Sequence, residues 1–423
     1  MSAVQAPKGT YDLLPEDAER RDRIVTAAAG VFVAHGYHRI VTPVFEETAL
    51  FERGVGEATD IVRKEMYTFP DRGGRSLTLR PEGTAPICRA YVEHGLHKWP
   101  QPVKLWYYCP MFRYEKPQAG RYREHYQLGA EALGSASPMV DAEIIAMLAE
   151  LYAELGLGPL RLLVNSMGDA ACRPAYVELL REYLRGRRPE LCGECAERID
   201  TNPLRTFDCK VAACRQVLDE APRIVDHLCP DCRSHFDAVL ALLRGVGLQP
   251  ELDFRLVRGL DYYTRTTFEF QSASLGPTQN AVGGGGRYDG LVAQLGGPPT
   301  PGMGFGSGLE RVTLVMQQPL QVSAAPLAYV VALTEEARGQ AFLLAQRLRH
   351  EGLGAELDLA GRSPKGQLKQ VARSGAMAAV LVGLPEAPSG TVRLRDPQGG
   401  AERDVPEEAL AAELRALADG IPA

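Results

Sequence analysis

The sequence predicts an α+β fold, in which an antiparallel sheet is interrupted by a helical insertion and followed by a C-terminal α/β domain. Three observations predict this arrangement. Strand-like segments and glycine-rich runs lie on both sides of residues 171–250, which show a helical pattern and no strand signal. Six of the nine cysteines fall between Cys192 and Cys232, inside that stretch. After residue 327, short apolar strands alternate with helices, which is typical of a largely parallel sheet.

The first elements are a helix and a strand that contains a proline. Residues 16–35 read as a helix, because acidic residues follow Pro15 and favour a helix N-terminus. Residues 37–46 are strand-like, but Pro43 cannot donate a backbone hydrogen bond to a neighbouring strand. We therefore expect this segment at a sheet edge or at a subunit contact.

The next segments predict the centre of the sheet. Residues 77–80 and 103–109 alternate or are apolar throughout, as strands do. Residues 122–130 are expected to pair with 103–109 across a loop at 115–121. An amphipathic helix over 138–156 then ends at its glycine.

A length of 423 residues accommodates two to three domains of about 150 residues each. A linker at 319–326 is assigned from the composition of this part of the chain, which is rich in proline, glutamine and small residues. The strands expected after it lie at 329–333, 355–359 and 378–383, with helices near 335–352 and 364–374. The expected division is a sheet domain at 1–170, a helical insertion at 171–250, the rest of the sheet domain at 251–318, a linker at 319–326 and the α/β domain at 327–423.

The bulk properties restrict the class of protein. A net charge of −6 gives no basic signature, so a nucleic-acid partner would have to be held by local patches. The N-terminus has no apolar signal core and no apolar run reaches membrane-spanning length, so we expect a cytoplasmic protein. Cys88, Cys109 and Cys172 are scattered, and we expect them to be reduced, buried and inert.

Arginines and glycines mark the candidate site. Residues 258–265 (RGLDYYTR), 283–290 (GGGGRYDG) and 304–311 (GFGSGLER) combine them with aromatic and strand-forming residues. Arginine offers a planar, permanently charged fork for carboxylate and phosphate oxygens, and glycine lets the backbone approach a ligand closely. Neither glycine run is a P-loop, since no Gly-Lys-Ser/Thr follows. These segments predict a sheet that holds a small amino acid beside a polyphosphate.

A fourth segment, Phe112 to Glu115, carries an arginine and a glutamate two residues apart. Strand alternation points the side chains of Arg113 and Glu115 to the same face, as a shared ligand requires. Taken alone, such a pair is more often a surface ion pair.

With these four segments the chain resembles the histidyl-tRNA synthetase family of class II aminoacyl-tRNA synthetases over nearly its whole length. The resemblance implies an antiparallel catalytic sheet and a C-terminal anticodon-binding domain. It also implies ATP-dependent ligation of L-histidine to tRNA(His) through a histidyl-adenylate, with release of AMP and pyrophosphate. Mg²⁺ is expected with the ATP. Residues 37–46 match motif 1, whose strand and helix form the dimer interface, so a homodimer is implied.

The alternative is the synthetase-like regulatory subunit of ATP phosphoribosyltransferase, a paralogue that has lost the catalytic motifs and the C-terminal domain. Here the four motif residues Arg113, Glu115, Arg258 and Arg311 are all present, and residues 327–423 supply the extra domain. The ligase is therefore the favoured interpretation.

By resemblance, each motif residue has a role in ATP binding or catalysis. Arg113 of motif 2 contacts the histidine carboxylate and the α-phosphate, and Glu115 faces the adenine amino group. Arg121 in the motif 2 loop assists Arg311 of motif 3, which holds the γ-phosphate near the start of a helix after a glycine turn. Arg258 is treated as catalytic in this family, in a role that other class II enzymes give largely to metal.

The resemblance also implies a histidine pocket. Glu131 is the best candidate to accept from the imidazole ring, and Gln127 and Tyr263 could complete the polar wall. Glu82 and Thr84 more naturally face the α-amino group. A pocket built on hydrogen bonds rejects analogues that lack them by roughly 10⁴–10⁵, so no editing domain is expected. At the position where many relatives stack a phenylalanine on adenine, this chain has His125. The full expected set is Glu82, Gly83, Thr84, Arg113, Gln127, Glu131, Arg258, Tyr262 and Tyr263.

Two Cys-x₂-Cys pairs lie in the insertion. Cys192 with Cys195 and Cys229 with Cys232 resemble a four-thiolate structural zinc site by spacing. Two further cysteines between the pairs leave the choice of ligands open. The alternative is that all of them are reduced structural cysteines. The family resemblance does not itself imply a metal here, so both interpretations stay open.

Overall fold

An eight-stranded sheet forms the centre of the first of two compact units, residues 1–320 and 321–423. The computed structural model describes residues 3–56, 59–276, 280–316, 327–386, 388–397 and 402–419. The expected linker at 319–326 lies outside the described residues. Mixed helix and sheet in the first unit and a separate α/β sheet in the second confirm the predicted fold class.

The strands of the first unit form two sheets. The large sheet has the order β1-β5-β6-β11-β10-β9-β7-β8, and the small one β2-β4-β3. Each outermost strand of the large sheet is parallel to its neighbour, β1 to β5 and β8 to β7. All other neighbouring strands are antiparallel. The bounds are β1 His38–Arg39, β2 Phe45–Glu47, β3 Tyr67–Pro70, β4 Ser76–Leu79, β5 Val103–Phe112, β6 Glu124–Leu133, β7 Leu160–Ser166, β8 Pro250–Leu252, β9 Thr264–Ser272, β10 Ala281–Arg287 and β11 Gly302–Gly308.

Helices cover one face of the large sheet. α1 and α4 contribute Phe32 and Ile144 to a core that includes Phe268 and Phe305 from the strands. The bounds are α1 Pro15–Ala34, α2 Thr48–Val55, α3 Thr84–Glu93, α4 Pro138–Glu154, α5 Arg173–Gly186, α6 Gly193–Thr201, α7 Ala212–Asp219, α8 Pro230–Gly245, α9 Leu291–Gln294 and α10 Leu309–Val315.

Strand alternation separates this helix-covered face from a polar one. On β6, Leu128 and Ala130 point into the core beneath the helices, so Gln127, Gly129 and Glu131 face the other way. β11 follows the same rule, with Met303, Phe305 and Ser307 toward the helices and glycines opposite. Because side chains alternate along a strand, the two predicted site residues of β6, Gln127 and Glu131, lie on the same polar face.

Three local predictions are wrong. Residues 37–46 form two short strands in different sheets, β1 and β2, because the chain turns around Pro43 between them. Residues 302–308 form strand β11 rather than a turn, since both edges of the segment find partners, in β6 and β10.

The segment at 258–263 is not a strand either, although its aromatic residues suit one. Its backbone bonds outside the sheet instead: the Arg258 carbonyl accepts from Arg205 Nη1 at 3.1 Å, and the Asp261 N–H donates to the Val55 carbonyl at 3.3 Å. Contacts distant in sequence therefore override the local preference for a strand.

The segment between β7 and β8 is helical, as expected. Residues 167–249 are all described and hold α5 to α8 with short 3₁₀ turns and no strand. They build a core of their own around Tyr176, Leu180, Ile199 and Leu218. α8 also packs on α4, where His235 Nε2 lies 2.8 Å from Asp141 Oδ2.

The second unit is a five-stranded sheet of order β13-β12-β14-β15-β16. Its first three strands are parallel, as predicted, but β15 and β16 form an antiparallel hairpin that the sequence pattern did not reveal. Among the described helices, none is both long and apolar enough to cross a bilayer. The bounds are β12 Ala328–Ala332, β13 Ala355–Leu357, β14 Ala378–Val382, β15 Thr391–Arg395, β16 Glu402–Pro406, α11 Arg338–His350, α12 Pro364–Ser374 and α13 Leu410–Ala418.

Candidate active site

Glycines on β10 and β11 form the floor of a polar cleft. A Cβ on Gly304 would lie 1.7 Å from Glu131 Oε2, and one on Gly306 would lie 1.8 Å from Gln127 Nε2. No side chain fits there without displacing these groups. The glycine runs in the sequence therefore leave space for polar side chains from the neighbouring strand to lie flat on the sheet.

Glu131 is the most deeply buried acid of the cleft. It is fully buried and accepts from Tyr288 Oη at 2.5 Å and Thr84 Oγ1 at 2.8 Å. Burial and the nearby Glu82 carboxylate raise its pKa to about 8, against the effect of the two donors. At neutral pH this carboxyl group is therefore largely protonated.

Glu82 is fixed by the start of α3. It accepts from the backbone N–H groups of Thr84 at 2.7 Å and Ala85 at 2.9 Å. Burial raises its pKa, while the two N–H groups and the charge of Arg113 oppose that shift. Gly83 lies against Tyr107, because a Cβ there would be 2.6 Å from the tyrosine ring. The segment 82–84 is thus rigidly placed beside Glu131.

Three tyrosines form an aromatic wall. The ring centroids of Tyr262 and Tyr263 are 4.8 Å apart, and those of Tyr262 and Tyr288 are 5.7 Å apart. All three are buried. Gln127, on the same strand face as Glu131, has a buried Oε1 without a hydrogen-bond partner. An unpaired buried acceptor costs about 1–3 kcal/mol, so this amide is suited to receive a ligand donor.

Arg113 and Arg311 are anchored to backbone at the rim of the cleft. Arg113 follows the last residue of β5, and its Nε donates to the Pro81 carbonyl at 2.8 Å. Arg311 is the third residue of α10; its Nε donates to the Gly120 carbonyl at 3.4 Å and its Nη1 to the Ala281 carbonyl. Arg311 therefore contacts the loop 115–121 that was predicted to assist it.

The other two cleft arginines are paired with carboxylates. Arg121 Nη1 lies 3.0 Å from Glu115 Oε2, which links the two ends of the motif 2 loop. Arg258 Nη1 lies 2.6 Å from Glu269 Oε2 on β9. Each guanidinium is thus held by one carboxylate and retains donors for a ligand.

Electrostatic effects on His125 show that three of these arginines share one region. Burial, together with the positive charges of Arg113, Arg311 and Arg121, lowers the pKa of His125 to about 3. The ring is therefore neutral at physiological pH. A neutral imidazole can stack on a base without adding another charge.

Arg311 connects this region to Arg258. Burial lowers the pKa of Arg311 to about 10, and the charges of Arg121 and Arg258 act in the same direction. The carboxylates of Glu115 and Glu269 oppose the shift. Charges far apart in sequence thus converge on one cleft, and their mutual repulsion would be relieved by a polyanion.

The structure adds residues that sequence reasoning did not select. Tyr288 donates to Glu131, although it lies inside the quoted run GGGGRYDG. Glu269 pairs with Arg258, and its signal was an acid between two phenylalanines, Phe268 and Phe270. Tyr107 lies under both Gly83 and Gly129, with no sequence signal that distinguishes it from a core tyrosine.

The predicted zinc ligand set is wrong as a single site. Cys192 and Cys195 group with Cys209 and Cys214, whereas Cys229 and Cys232 group with Asp169 and Cys172. α6 and α8, which begin directly after Cys192 and Cys229, are separated in the chain by α7, and each pair groups with ligands from other segments. Cys172 is also not isolated, contrary to expectation. Cys88 and Cys109 are buried, as expected.

An antiparallel sheet with a glycine floor, a buried polar pocket and converging arginines defines a class II aminoacyl-tRNA synthetase. The family model "Histidyl-tRNA synthetase" matches residues 9–312, and "Anticodon binding domain" matches residues 327–417. The chain belongs to the histidyl-tRNA synthetase family. It is an enzyme that uses ATP and a divalent metal to ligate L-histidine to tRNA(His), which confirms the expected activity.

Proteins similar to this chain align with it over nearly its full length. The histidine–tRNA ligase of Rubrobacter xylanophilus is 51% identical over 412 residues, covering 95% of this chain and 97% of that protein. The one from Desulforamulus reducens is 47% identical over 402 residues, covering 94% and 96%. The crystal structure of apo S. aureus histidyl-tRNA synthetase has a TM-score of 0.83 and 36% identity, covering 98% of this chain and 100% of that one.

A solved structure described as an ATP phosphoribosyltransferase regulatory subunit/histidyl-tRNA synthetase, from Bacillus halodurans, is more distant. It has a TM-score of 0.63 at 24% identity, covering 86% of this chain and 94% of that one. At that identity the likeness extends to the fold alone. The regulatory subunit is therefore a distant relative and not the favoured function.

Proposed function

We propose that the cleft binds L-histidine and MgATP side by side and that its arginines stabilise the charge that develops as the adenylate forms. The observation that supports this proposal is the glycine floor under Glu131 and Gln127, with four arginines near enough to lower the pKa of His125 or Arg311. The histidine site comprises Glu82, Gly83, Thr84, Arg113, Gln127, Glu131, Arg258, Tyr262 and Tyr263, and the ATP site Arg113, Glu115, Arg121 and Arg311.

In the reaction, a carboxylate oxygen of histidine attacks the α-phosphorus of ATP and pyrophosphate leaves. Mg²⁺ enters with the ATP as part of the substrate and neutralises phosphate oxygens. The protein supplies alignment and fixed positive charge. Arg113 and Arg258 flank the reacting carboxylate and α-phosphate. Arg311 and Arg121 bind the outer phosphates, and Glu115 accepts from the adenine amino group.

Selection of histidine follows from the buried polar groups. Glu131 receives the imidazole, because it is the acid whose burial makes an unpaired charge costly. The free Oε1 of Gln127 accepts a ligand N–H, and Tyr263 closes the aromatic side. Glu82 is placed to face the α-amino group. A side chain that cannot form these bonds would leave buried groups unpaired, which accounts for its rejection.

Histidine-dependent exchange of pyrophosphate into ATP tests the proposed activity. We expect exchange with L-histidine, and none with phenylalanine or glutamine at the same concentration. Exchange without histidine, or with any amino acid, would contradict the assigned pocket. Histidine binding without exchange would instead favour a regulatory role.

Replacing Arg311 with alanine should weaken ATP binding selectively. A charge-assisted phosphate contact contributes about 1.5–3 kcal/mol, so KM for ATP should rise by about 10-fold or more. A non-hydrolysable histidyl-adenylate analogue lacks the γ-phosphate and should bind within about threefold of wild type. Calorimetry with both ligands decides the question. Equal losses for ATP and analogue would show that Arg311 acts by holding the loop at Gly120.

The domain boundaries remain our proposal: catalytic segments at 1–170 and 251–318, an insertion at 171–250 and an anticodon-binding domain at 327–423. The match of the anticodon-binding family model supports the last of these. We also propose a cytoplasmic location. All nine cysteines are free, which suits a reducing compartment.

We propose a homodimer formed through the motif 1 segment. Val41, Val44, Phe45 and Phe69 are large apolar side chains that are exposed on the small sheet and the segment before it. The Phe45 and Phe69 rings are 6.5 Å apart, so they form one patch rather than scattered contacts. Contiguous exposed apolar patches usually mark interfaces, and a second copy of the chain covers this one.

Sedimentation of the full chain at micromolar concentration tests the dimer. We expect twice the chain mass for wild type and for Val246→Asp, a matched change at an exposed apolar side chain elsewhere. Phe45→Asp combined with Phe69→Asp should sediment as a monomer, because a buried unpaired charge opposes association. A wild-type monomer would rule out the dimer, and a dimeric double variant would place the interface elsewhere.

A further inference from the structure

Two groups of potential metal ligands lie in and beside the insertion, and none of their members belongs to the proposed histidine or ATP site. The first is Cys192, Cys195, Cys209 and Cys214, and the second is Asp169, Cys172, Cys229 and Cys232. Within each group the ligand atoms all lie within 4.8 Å of one another. All seven thiols are free. Each group therefore offers four donors around one point.

The first group has the dimensions of a tetrahedral thiolate site. Cys192 Sγ and Cys209 Sγ are 3.9 Å apart. Zn–S bonds of about 2.3 Å in a tetrahedron place the sulfurs about 3.8 Å from each other. The Cys192 N–H donates to Cys214 Sγ at 3.1 Å, a bond that stabilises a thiolate. Cys195 and Cys214 are buried, so solvent does not reach the centre easily.

The second group has three thiols around one carboxylate oxygen. Asp169 Oδ1 lies 3.7 Å from Cys172 Sγ and 3.9 Å from Cys229 Sγ. Its other oxygen, Oδ2, accepts from Arg265 Nη2 at 3.2 Å. A carboxylate that presents one oxygen to the ligand cluster and the other to an arginine is oriented as a metal ligand requires.

The two groups share a local construction. Cys192 immediately precedes α6 and Cys229 immediately precedes α8, so each pair places one sulfur before a helix and the second in its first turn. Both helices begin with extended backbone at that first cysteine. The same geometry arises twice, with the remaining two ligands supplied by different segments. This repetition is a second indication, independent of the distances, that both are built sites.

We propose that the chain binds two structural zinc ions, one in a Cys₄ site and one in a Cys₃Asp site. Four protein ligands and no open position are typical of structural zinc. Each thiol gives its proton to solvent as the ion binds, and each filled site carries a formal charge of −2. In the second site Arg265 offsets part of that charge.

The second ion would connect the insertion to the catalytic sheet. Its ligands come from the segment after β7 and from the starts of α5 and α8. Arg173, next to Cys172, donates its Nε to the Met167 carbonyl at 2.8 Å and its Nη2 to the Tyr263 carbonyl. Arg265, bonded to Asp169, is two residues from the same tyrosine. The site thus holds the backbone that carries a wall of the proposed histidine pocket.

Metal analysis of the full-length protein, purified without chelator from zinc-supplemented medium, tests this proposal. We expect two zinc ions per chain. Titrating the thiols of the unsubstituted protein with an organomercurial should release both ions, measured with a colorimetric zinc indicator. Less than about 0.2 equivalent of zinc before and after reconstitution would overturn the proposal. Iron in place of zinc would overturn the choice of metal.

Two half-buried ligands serve for substitution, because they perturb the core least. Cys209→Ser and Cys229→Ser should each retain one zinc ion, and Cys109→Ser, which changes a buried cysteine outside both groups, should retain two. Loss of all zinc from both ligand variants would show one shared site and contradict the separation. Two ions retained in either variant would remove that group from the proposal. These results do not depend on activity, so they stand apart from the proposed catalytic roles.

Discussion

Replacing Arg258 with alanine is expected to slow histidyl-adenylate formation by about 10²–10³, since removing one fixed donor from a developing charge typically costs that much. Histidine affinity should change by less than about tenfold, because the ring contacts remain. Pyrophosphate exchange measures the first quantity and calorimetry the second. Exchange near the wild-type rate would refute the catalytic role.

The ion pair with Glu269 requires a control. Without Arg258, the partly buried Glu269 carboxylate would lose its ion pair and keep its hydrogen bond from Gln271 Nε2. That charge alone would repel ATP. The double variant Arg258→Ala, Glu269→Gln removes the repulsion. If Arg258 itself stabilises the reaction, the double variant stays within about tenfold of the single one. Recovery to near wild type would assign the loss to Glu269 instead.

Replacing Glu131 with glutamine is the second change with a large expected effect. A charge-assisted hydrogen bond contributes about 1.5–3 kcal/mol, so KM for histidine should rise by about 10- to 150-fold. KM for ATP should stay within about threefold. Tyr288→Phe removes one donor to Glu131 and keeps its carboxyl group, so it should cost less. Equal effects of both changes would show that Glu131 only supports the local structure.

The raised pKa of Glu131 gives this pocket a distinctive pH profile. Near pH 7 the free carboxyl group is largely protonated, with a pKa of about 8, and the ring of free histidine, with a pKa of about 6.5, is largely neutral. Together they share one proton. Above pH 8 binding must take up a proton, and below pH 6.5 it must release one, so affinity should fall on both sides.

Calorimetric titration across pH 5.5–9 tests this profile, as about 1.4 kcal/mol corresponds to tenfold in affinity. Glu131→Gln should lose the decline above about pH 8. Tyr288→Phe should move it to higher pH, because the Tyr288 donor lowers the pKa of Glu131. An affinity that rises through pH 8 and then stays constant would contradict the shared proton.

The sequence was sufficient where local pattern and position coincide. The apolar run at 103–109 correctly predicted strand β5, which continues to Phe112. Arg113 and Glu115 lie beyond its end, and the Glu115 N–H donates to the Arg113 carbonyl at 2.8 Å, so the predicted strand alternation does not extend to them. The sequence pattern was insufficient where contacts between distant segments determine the local structure. The segment at 258–263 is aromatic like a strand, but bonds to Val55 and Arg205 hold it as a loop.

The cysteine groups and the tyrosine wall show the same limit. Cys-x₂-Cys spacing identified donors but not their partners, because the other ligands approach from segments tens of residues away. Tyr288 was visible in a quoted motif, yet only the fold shows that its hydroxyl meets Glu131. The spacing of residues in the sequence predicts which side chains are neighbours within one strand or helix. Which side chains meet across the sheet depends on how the strands are paired, and the sequence pattern does not give that pairing.

The convergence of three distant guanidinium groups on one nucleotide is tested most directly by single-turnover adenylate formation. Arg113→Ala, Arg258→Ala and Arg311→Ala should each lower the rate at subsaturating ATP and histidine by at least about tenfold. Arg161→Ala, which breaks an exposed ion pair with Glu251, should stay within about twofold. A wild-type rate in any of the first three variants would contradict a shared site.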